Sequence, residues 1–195
     1  MSEWHPPCKL CVSPDEDLSM TEERDTKIKE FYSWTHQFGI AVYNISKEYN
    51  IGSLLRTAHI GKVKDFFLIG EKSFNTYAAA SSEKWTKIIF FKTLDEFLNH
   101  IEMTDYNLVL VEQAKNSVSL FDFTFPQNPL FLLGAEKGGL PNELMSKNYP
   151  VIEIPQYGLV HSLNISCSGS IVIYNYLYRM YKEVNERSLL KTSNL

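Results

Sequence analysis

The sequence predicts a parallel α/β sandwich of three layers, and two observations carry that reading. Six short apolar runs, "GIAVYNI", "DFFLIG", "KIIFF", "YNLVLVE", "PLFLLG" and "PVIEIP", recur between Gly39 and Pro155. Such runs, without polar alternation, suit strands buried on both faces, the environment of a parallel sheet. Segments with helical or loop character separate them, the alternation that builds βαβ units.

The first strand starts at Gly39. After it, "NIGSLLRTAHIG" places Ile51, Leu54, Leu55 and Ala58 at helical spacing, with Asn50 as N-cap. "TLDEFLNHI" repeats the device with Thr93, and "LPNELMSK" makes a short helix with Pro141 near its first turn. The last strand ends at Ile154 and Pro155, and Ser162-Leu163-Asn164 begins a final helix. Small residues crowd its start: Ser166, Cys167, Ser168, Gly169 and Ser170. One polar side chain is enough to cap a helix, so the surplus needs another cause.

A chain of 195 residues, 44% hydrophobic and 13% aromatic, is long enough for one well-buried domain and too short for two large ones. Residues 1–36 differ from the rest, with Pro6 and Pro7, the acidic "SPDEDLSMTEERD" and then a helical "TKIKEFYSWTHQF". They are expected to form an extension, partly disordered or helical, ahead of a domain over 37–195. Within the extension, His5, Cys8 and Cys11 have the close spacing of metal ligands, yet three ligands fall one short of a structural zinc site, and no metal is expected.

No segment has the length of a signal-peptide core or of a membrane span, and three cysteines fit reduced thiols, so a cytoplasmic protein is expected. The net charge of −4 lacks the excess of Lys and Arg that neutralises nucleic-acid phosphates. A local basic patch is compatible with an acidic chain, and Lys47, Lys62, Lys64, Lys137 and Lys147 lie near the loops that follow strands.

Three of those loops carry polar residues suited to a site. "KEYNIGSLLRTA" holds Asn50, Gly52 and Arg56; "LLGAEKGGLPNEL" holds Gly134, Glu136, Gly138 and Gly139; "IPQYGLVHSLNIS" holds Ser162 and Asn164. Glycines in the second allow close backbone approach or positive φ, but the loop is neither a Walker A sequence nor a dinucleotide fingerprint. Taken singly, a capped helix, a glycine turn and a polar helix start explain them. The adjacent His161 and Ser162 invite a hydrolase reading, which the lack of a nucleophile elbow opposes.

Taken together and in order, Asn-x-Gly-x-x-x-Arg-x-Ala, Leu-Gly-x-Glu-x-x-Gly-Leu-Pro and Ile-Pro-x-x-Gly-x-x-x-Ser-Leu-Asn-x-Ser resemble the SpoU/TrmH branch of the SPOUT RNA methyltransferases. The resemblance spans about Gly39 to Tyr181, and within the branch it is nearest to the catalytic domain of enzymes that methylate the D-loop guanosine of tRNA. It implies a deep trefoil knot at the C-terminus, through which the last helix threads. Small side chains on that helix are what a tight passage requires.

The resemblance also implies S-adenosylmethionine as cofactor, held at Gly134, Ile154 and Leu163, and methyl transfer to a ribose 2′-hydroxyl. Arg56 is then the main catalytic residue, supported by Asn50, Glu136, Ser162 and Asn164. A guanidinium with a pKa above about 12 is a poor base, which favours a phosphate clamp and electrostatic help to the alkoxide. His161 departs from the arginine of the nearest relatives. A homodimer is implied, with Tyr174, Tyr176, Leu177 and Tyr178 as candidate contacts. Ribosomal RNA is the alternative substrate, and a non-catalytic RNA-binding knot protein is the rival from another class.

Overall fold

The computed structural model describes residues 26, 28–30, 32–70 and 73–192; the His5, Cys8 and Cys11 cluster lies outside them. Seven strands form one parallel sheet among the described residues. They are β1 (Gly39–Tyr43), β2 (Asp65–Ile69), β3 (Ile88–Phe91), β4 (Asn107–Val111), β5 (Val118–Ser119), β6 (Pro129–Leu133) and β7 (Val151–Glu153). Their order is β3-β2-β1-β6-β4-β7-β5. The helices after β1 are α1 (Glu48–Ile60), α2 (Thr76–Ala79), α3 (Leu94–Ile101), α4 (Asn142–Met145) and α5 (Ile165–Thr192).

Side chains alternate across the central strands and build two cores. Ile40, Val42, Phe66, Leu68, Val109, Phe131 and Leu133 meet α1 and α5 on one face. Ala41, Phe67, Ile69, Leu108, Leu110, Leu130 and Leu132 meet α3 on the other. Burial on both faces explains why these runs are apolar throughout, and it makes the three layers the sequence predicts. The two-residue β5, at the sheet edge, was not expected from the sequence.

At the amino end of β2, away from the carboxyl ends of the strands, Asp65 is buried and held by Lys87 at 2.7 Å and by the Tyr106 hydroxyl, which donates at 2.6 Å. Burial, then the bond to Asp65 and its charge, push the Tyr106 phenol up from its ordinary value.

Thr93 and Glu96 form the capping box of α3, as the sequence indicates. Asn50 does not cap α1. The helix begins at Glu48 with Lys47 at the N-cap, and Asn50 lies inside the first turn, 7% exposed, with its amide turned to tertiary partners. The final helix begins at Ile165, slightly later than expected. Asn164 is its cap: the side-chain Oδ1 accepts from Ser166 N at 2.9 Å, and its carbonyl accepts from Ser168 N at 2.9 Å.

Two of the small residues of α5, Gly169 and Ser170, have a physical cause in its packing on α1. A Cβ at Gly169 would sit 2.5 Å from Leu54 Cδ1, and Ser170 Oγ lies 3.0 Å from Thr57 Oγ1. Larger side chains would push the helices apart. Further along α5, Arg179 donates to the carbonyls of Phe123 (2.9 Å), Leu120 (3.1 Å) and Phe121, tying the segment after β5 to the helix. Tyr176 and Leu177, expected above as dimer contacts, pack inward instead: Tyr176 is 6% exposed and its ring lies 4.7 Å from Phe38. Tyr174 and Tyr178 remain outward at 52% and 57% exposure.

Strand order places the site. The chain runs outward from β1 to β3, returns at β4, and then inserts β6 between β1 and β4. The order therefore reverses at the centre of the sheet, and a crevice forms at the carboxyl ends there.

Gly52 of the first motif has a structural role beside that crevice. A Cβ on it would overlap the carbonyl oxygen of Asn75, which leads into α2. Gly52→Ala is expected to destabilise the protein by about 1–3 kcal/mol through overpacking, despite the better helix propensity of alanine. Urea unfolding checks this, and an unchanged or raised midpoint would refute the close contact.

Candidate functional site

A cavity of about 450 Å³ opens at the carboxyl ends of β4, β6 and β7, beside the start of α1. Val111, Leu133, Ile154 and Leu163 give it apolar walls, and the main chain of Gly134 and Ala135 forms part of its lining. Its charged lining consists of Glu112, Glu136, Glu153 and Lys47. The balance is negative, a setting that disfavours a bound anion and favours a bound cation.

The loop after β6 is folded tightly. Ala135 and Gly139 exchange two backbone hydrogen bonds, of 3.1 and 3.2 Å, while Gly138 and Gly139 take φ of 89° and 62°. Those conformations favour glycine, in line with the sequence reading. The fold of this loop aims Glu136 at the first turn of α1.

Three of the sequence-selected residues then join through one chain of hydrogen bonds. Asn164 Nδ2 donates to Asn50 Oδ1 at 3.0 Å, Asn50 Nδ2 donates to Glu136 Oε1, and Ser46 Oγ donates to Glu136 Oε2 at 3.3 Å. The direction of the chain is fixed by chemistry. A carboxylate only accepts, so Asn50 must offer its N–H to Glu136 and keep its carbonyl for Asn164. The three loops that the sequence singled out are thus bonded to one another.

The other selected residues sit around this chain. Gly134, Ile154, Leu163 and Ser162 line the cavity, the last of them exposed at its mouth. Arg56 does not line it; the residue is exposed on α1, beyond the buried Leu54 and Leu55. Glu112 and Gln113, immediately after β4, line the cavity and were missed by sequence reasoning. They stand in a stretch that resembles the family, "VEQAKNS", but an acid and an amide after an apolar strand carry no diagnostic spacing of their own, and the sequence assigned them no role.

The SpoU rRNA Methylase family model matches residues 37–174, from just before β1 into α5. The chain belongs to this family. Its similarity to the tRNA (guanosine(18)-2′-O)-methyltransferase of Mus musculus is 31% identity over 139 residues, 68% of this chain and 9% of that protein. The enzyme of the same name from Borreliella burgdorferi is 24% identical over 167 residues, covering 84% of this chain and 77% of the relative. The one from Thermus thermophilus is 29% identical over 162 residues, 79% of this chain and 81% of the relative.

Among solved structures, the fold is similar to the A. aeolicus TrmH/SpoU tRNA modifying enzyme, with a TM-score of 0.74 and 21% identity over 83% of this chain and 85% of that one. It is also similar to an AdoMet-bound rRNA methyltransferase from Sinorhizobium meliloti, with a TM-score of 0.66 and 21% identity over 76% of this chain and 58% of that one. At this identity the structural likeness speaks for the fold.

The hydrogen-bonded chain of this SpoU-family domain predicts energetic coupling across sequence-distant loops. In a double-mutant cycle, Asn50→Ala and Asn164→Ala are expected to couple by about 0.5–3 kcal/mol, since each deletion leaves the other amide short of a partner. Denaturant unfolding of the single and double variants measures the term. Strict additivity would mean that the Asn164–Asn50 bond does not hold in solution.

Proposed function

We propose that this SpoU-family chain transfers a methyl group from S-adenosylmethionine to a ribose 2′-hydroxyl of RNA, with the D-loop guanosine of tRNA as target. The observation that carries the reading is the Asn164–Asn50–Glu136 chain beside the cavity, which unites residues of all three motif loops at one point. The tRNA target is supported by the names of the relatives. Ribosomal RNA is the second reading, favoured by the description of the family model and by the Sinorhizobium enzyme.

The cavity fits the cofactor. Its volume lies within the usual range for small-molecule pockets, its walls offer apolar surface to a purine, and its acidic lining suits a positively charged group. Gly134 brings main chain to the cavity wall, at a position where a Cβ would collide with the backbone of Gly139 and Leu140. S-adenosylmethionine supplies a methyl group on a cationic sulfur, open to displacement by an oxygen nucleophile.

The residues of the chain divide the remaining work. Gly134, Ile154 and Leu163, which line the cavity, would hold the adenine by apolar contact and main chain. Asn50, Glu136 and Asn164 fix the motif loops, and alignment of the reactants in this way lowers the barrier. Ser162, at the mouth, offers a hydroxyl to the ribose or its phosphate. Arg56 stands outside the cavity, where its guanidinium meets a phosphate and stabilises developing negative charge on the 2′-oxygen while keeping its own proton.

The same reading extends to architecture. Insertion of β6 between β1 and β4, and the close passage of α5 over α1, support a deep trefoil knot at the C-terminal end. Residues 1–36 form an extension ahead of the methyltransferase domain, with Trp34 and His36 as its join: Lys62 Nζ lies 3.9 Å over the Trp34 ring. No helix among the described residues is long and apolar enough to cross a membrane, which accords with a cytoplasmic enzyme.

Exposed Tyr174 and Tyr178, one turn apart on α5, support a homodimer. Light scattering is expected to give the mass of two chains, and of one chain when both tyrosines are replaced by glutamate. A monomeric wild-type protein would remove the dimer from the reading.

The catalytic test uses methyl-labelled S-adenosylmethionine with unmodified tRNA and, separately, ribosomal RNA. Label is expected on tRNA as a 2′-O-methylribose, with Arg56→Ala lowering the rate by about 10²–10³, the scale for removal of one electrostatic stabiliser. Label confined to ribosomal RNA would replace the substrate, and absence of both cofactor binding and label would reject the enzyme.

A further inference from the structure

We propose that Glu112 and Gln113 form a positioning pair that holds the two cofactor-facing loops in register, and that cofactor affinity depends on it. The inference rests on the reading of the cavity as an S-adenosylmethionine site. It concerns neither the reacting atoms nor the Asn50 chain.

Location makes the pair suited to this. β4 is hydrogen-bonded to β6 on one side and β7 on the other, so the residues leaving its carboxyl end lie between the loops that follow those strands. Glu112 remains anchored to the sheet, its N–H donating to the Ile152 carbonyl at 3.0 Å. Its side chain reaches into the first loop. Oε2 accepts from Leu140 N at 3.2 Å, and Oε1 accepts from Gln113 N at 3.0 Å. Gln113 reaches the second loop, with Nε2 donating to the His161 carbonyl at 3.1 Å. One strand end thereby ties residues 28 and 48 positions away.

The first tie answers a specific need. Leu140 is buried, and its N–H must find an acceptor as the chain leaves the glycine turn. The carboxylate supplies one, with the added strength of a charged partner. Glu112 also packs directly on the backbone at Gly139, where any Cβ would overlap Oε2. Gly139 is therefore required twice, for its positive φ and for this contact. Two successive glycines at positive φ carry a large conformational entropy in the free chain, so a loop of this kind binds well only when something fixes it in advance.

A solvated strand end is the plain alternative, and the two differ in what glutamine does at position 112. As a mere surface or packing residue, Glu112 would be replaced without loss by its isostere. As an acceptor for two backbone N–H groups it would not, because either orientation of the amide presents an NH₂ group to one of them.

The experiment measures S-adenosylmethionine binding by calorimetry for wild type, Glu112→Gln, Glu112→Ala and Gln113→Ala, with amide hydrogen exchange of the ligand-free proteins. Both Glu112 variants are expected to bind about tenfold more weakly, equivalent to about 1.4 kcal/mol. Exchange should quicken in residues 134–140 while α3 keeps its protection. In turnover, KM for the cofactor should rise and kcat at saturation should hold. Gln113→Ala should weaken binding less and quicken exchange around His161.

Wild-type affinity in Glu112→Gln overturns the proposal, as does exchange that quickens equally in α3, which would mark general destabilisation. Wild-type protein that binds no S-adenosylmethionine would sink the cofactor reading and this inference with it. Normal wild-type binding with an unaffected glutamine variant sinks the positioning pair alone.

Discussion

A side chain at Gly134 would place its Cβ 2.6 Å from the Gly139 carbonyl carbon and 2.6 Å from the Leu140 amide nitrogen. Backbone meets backbone there, so the chain leaving β6 can double back at once and not travel away from the sheet. The Ala135–Gly139 bridge is the outcome of that reversal, and it leaves Glu136 directed toward α1. Because β6 lies between β1 and β4, the reversal happens at the centre of the crevice. Its position decides what Asn50 can bond, where the cavity wall stands and which atoms Glu112 can reach.

The polar residues of the site are arranged to tolerate partial burial. Asn50 is nearly inaccessible, yet its amide has an acceptor on one side and a donor on the other, which removes the main cost of burying it. Glu136 is less buried and takes hydrogen bonds from both Asn50 and Ser46. A network satisfied at each member tends to fix one geometry, whereas a half-satisfied one would admit several. For a site that must hold three loops together, that rigidity matters more than the net stability any single bond contributes.

What could be read in the sequence follows the range of the forces involved. The central strands were legible because burial on two faces leaves a continuous apolar run, a local record of a tertiary fact. β5 left no such record, being two residues long at the edge. Asn50 misled for a related reason: a side-chain amide near a helix start can serve a local N–H or a remote carboxylate with the same chemistry, and only the packed fold decides. The run of small residues in α5 was visible as an anomaly, while its partner, Leu54 on α1, lies more than 100 positions away. Glu112 and Gln113 lay beyond reach, since their partners in both loops are defined by strand order alone.

The charge of the chain is resolved by the same geometry. A cationic cofactor and a polyanionic RNA ask opposite things of one surface, and a uniformly basic protein would serve only the second. Here three glutamates and one lysine, Lys47, line the cavity, whereas Arg56 and Lys137 are exposed outside the set of residues that line it. Acidic side chains thus gather on the cavity wall, while basic ones, Lys47 apart, lie outside it. A net charge of −4 counts both populations together, and for that reason it argued against nucleic acid more strongly than the arrangement of the charges warrants.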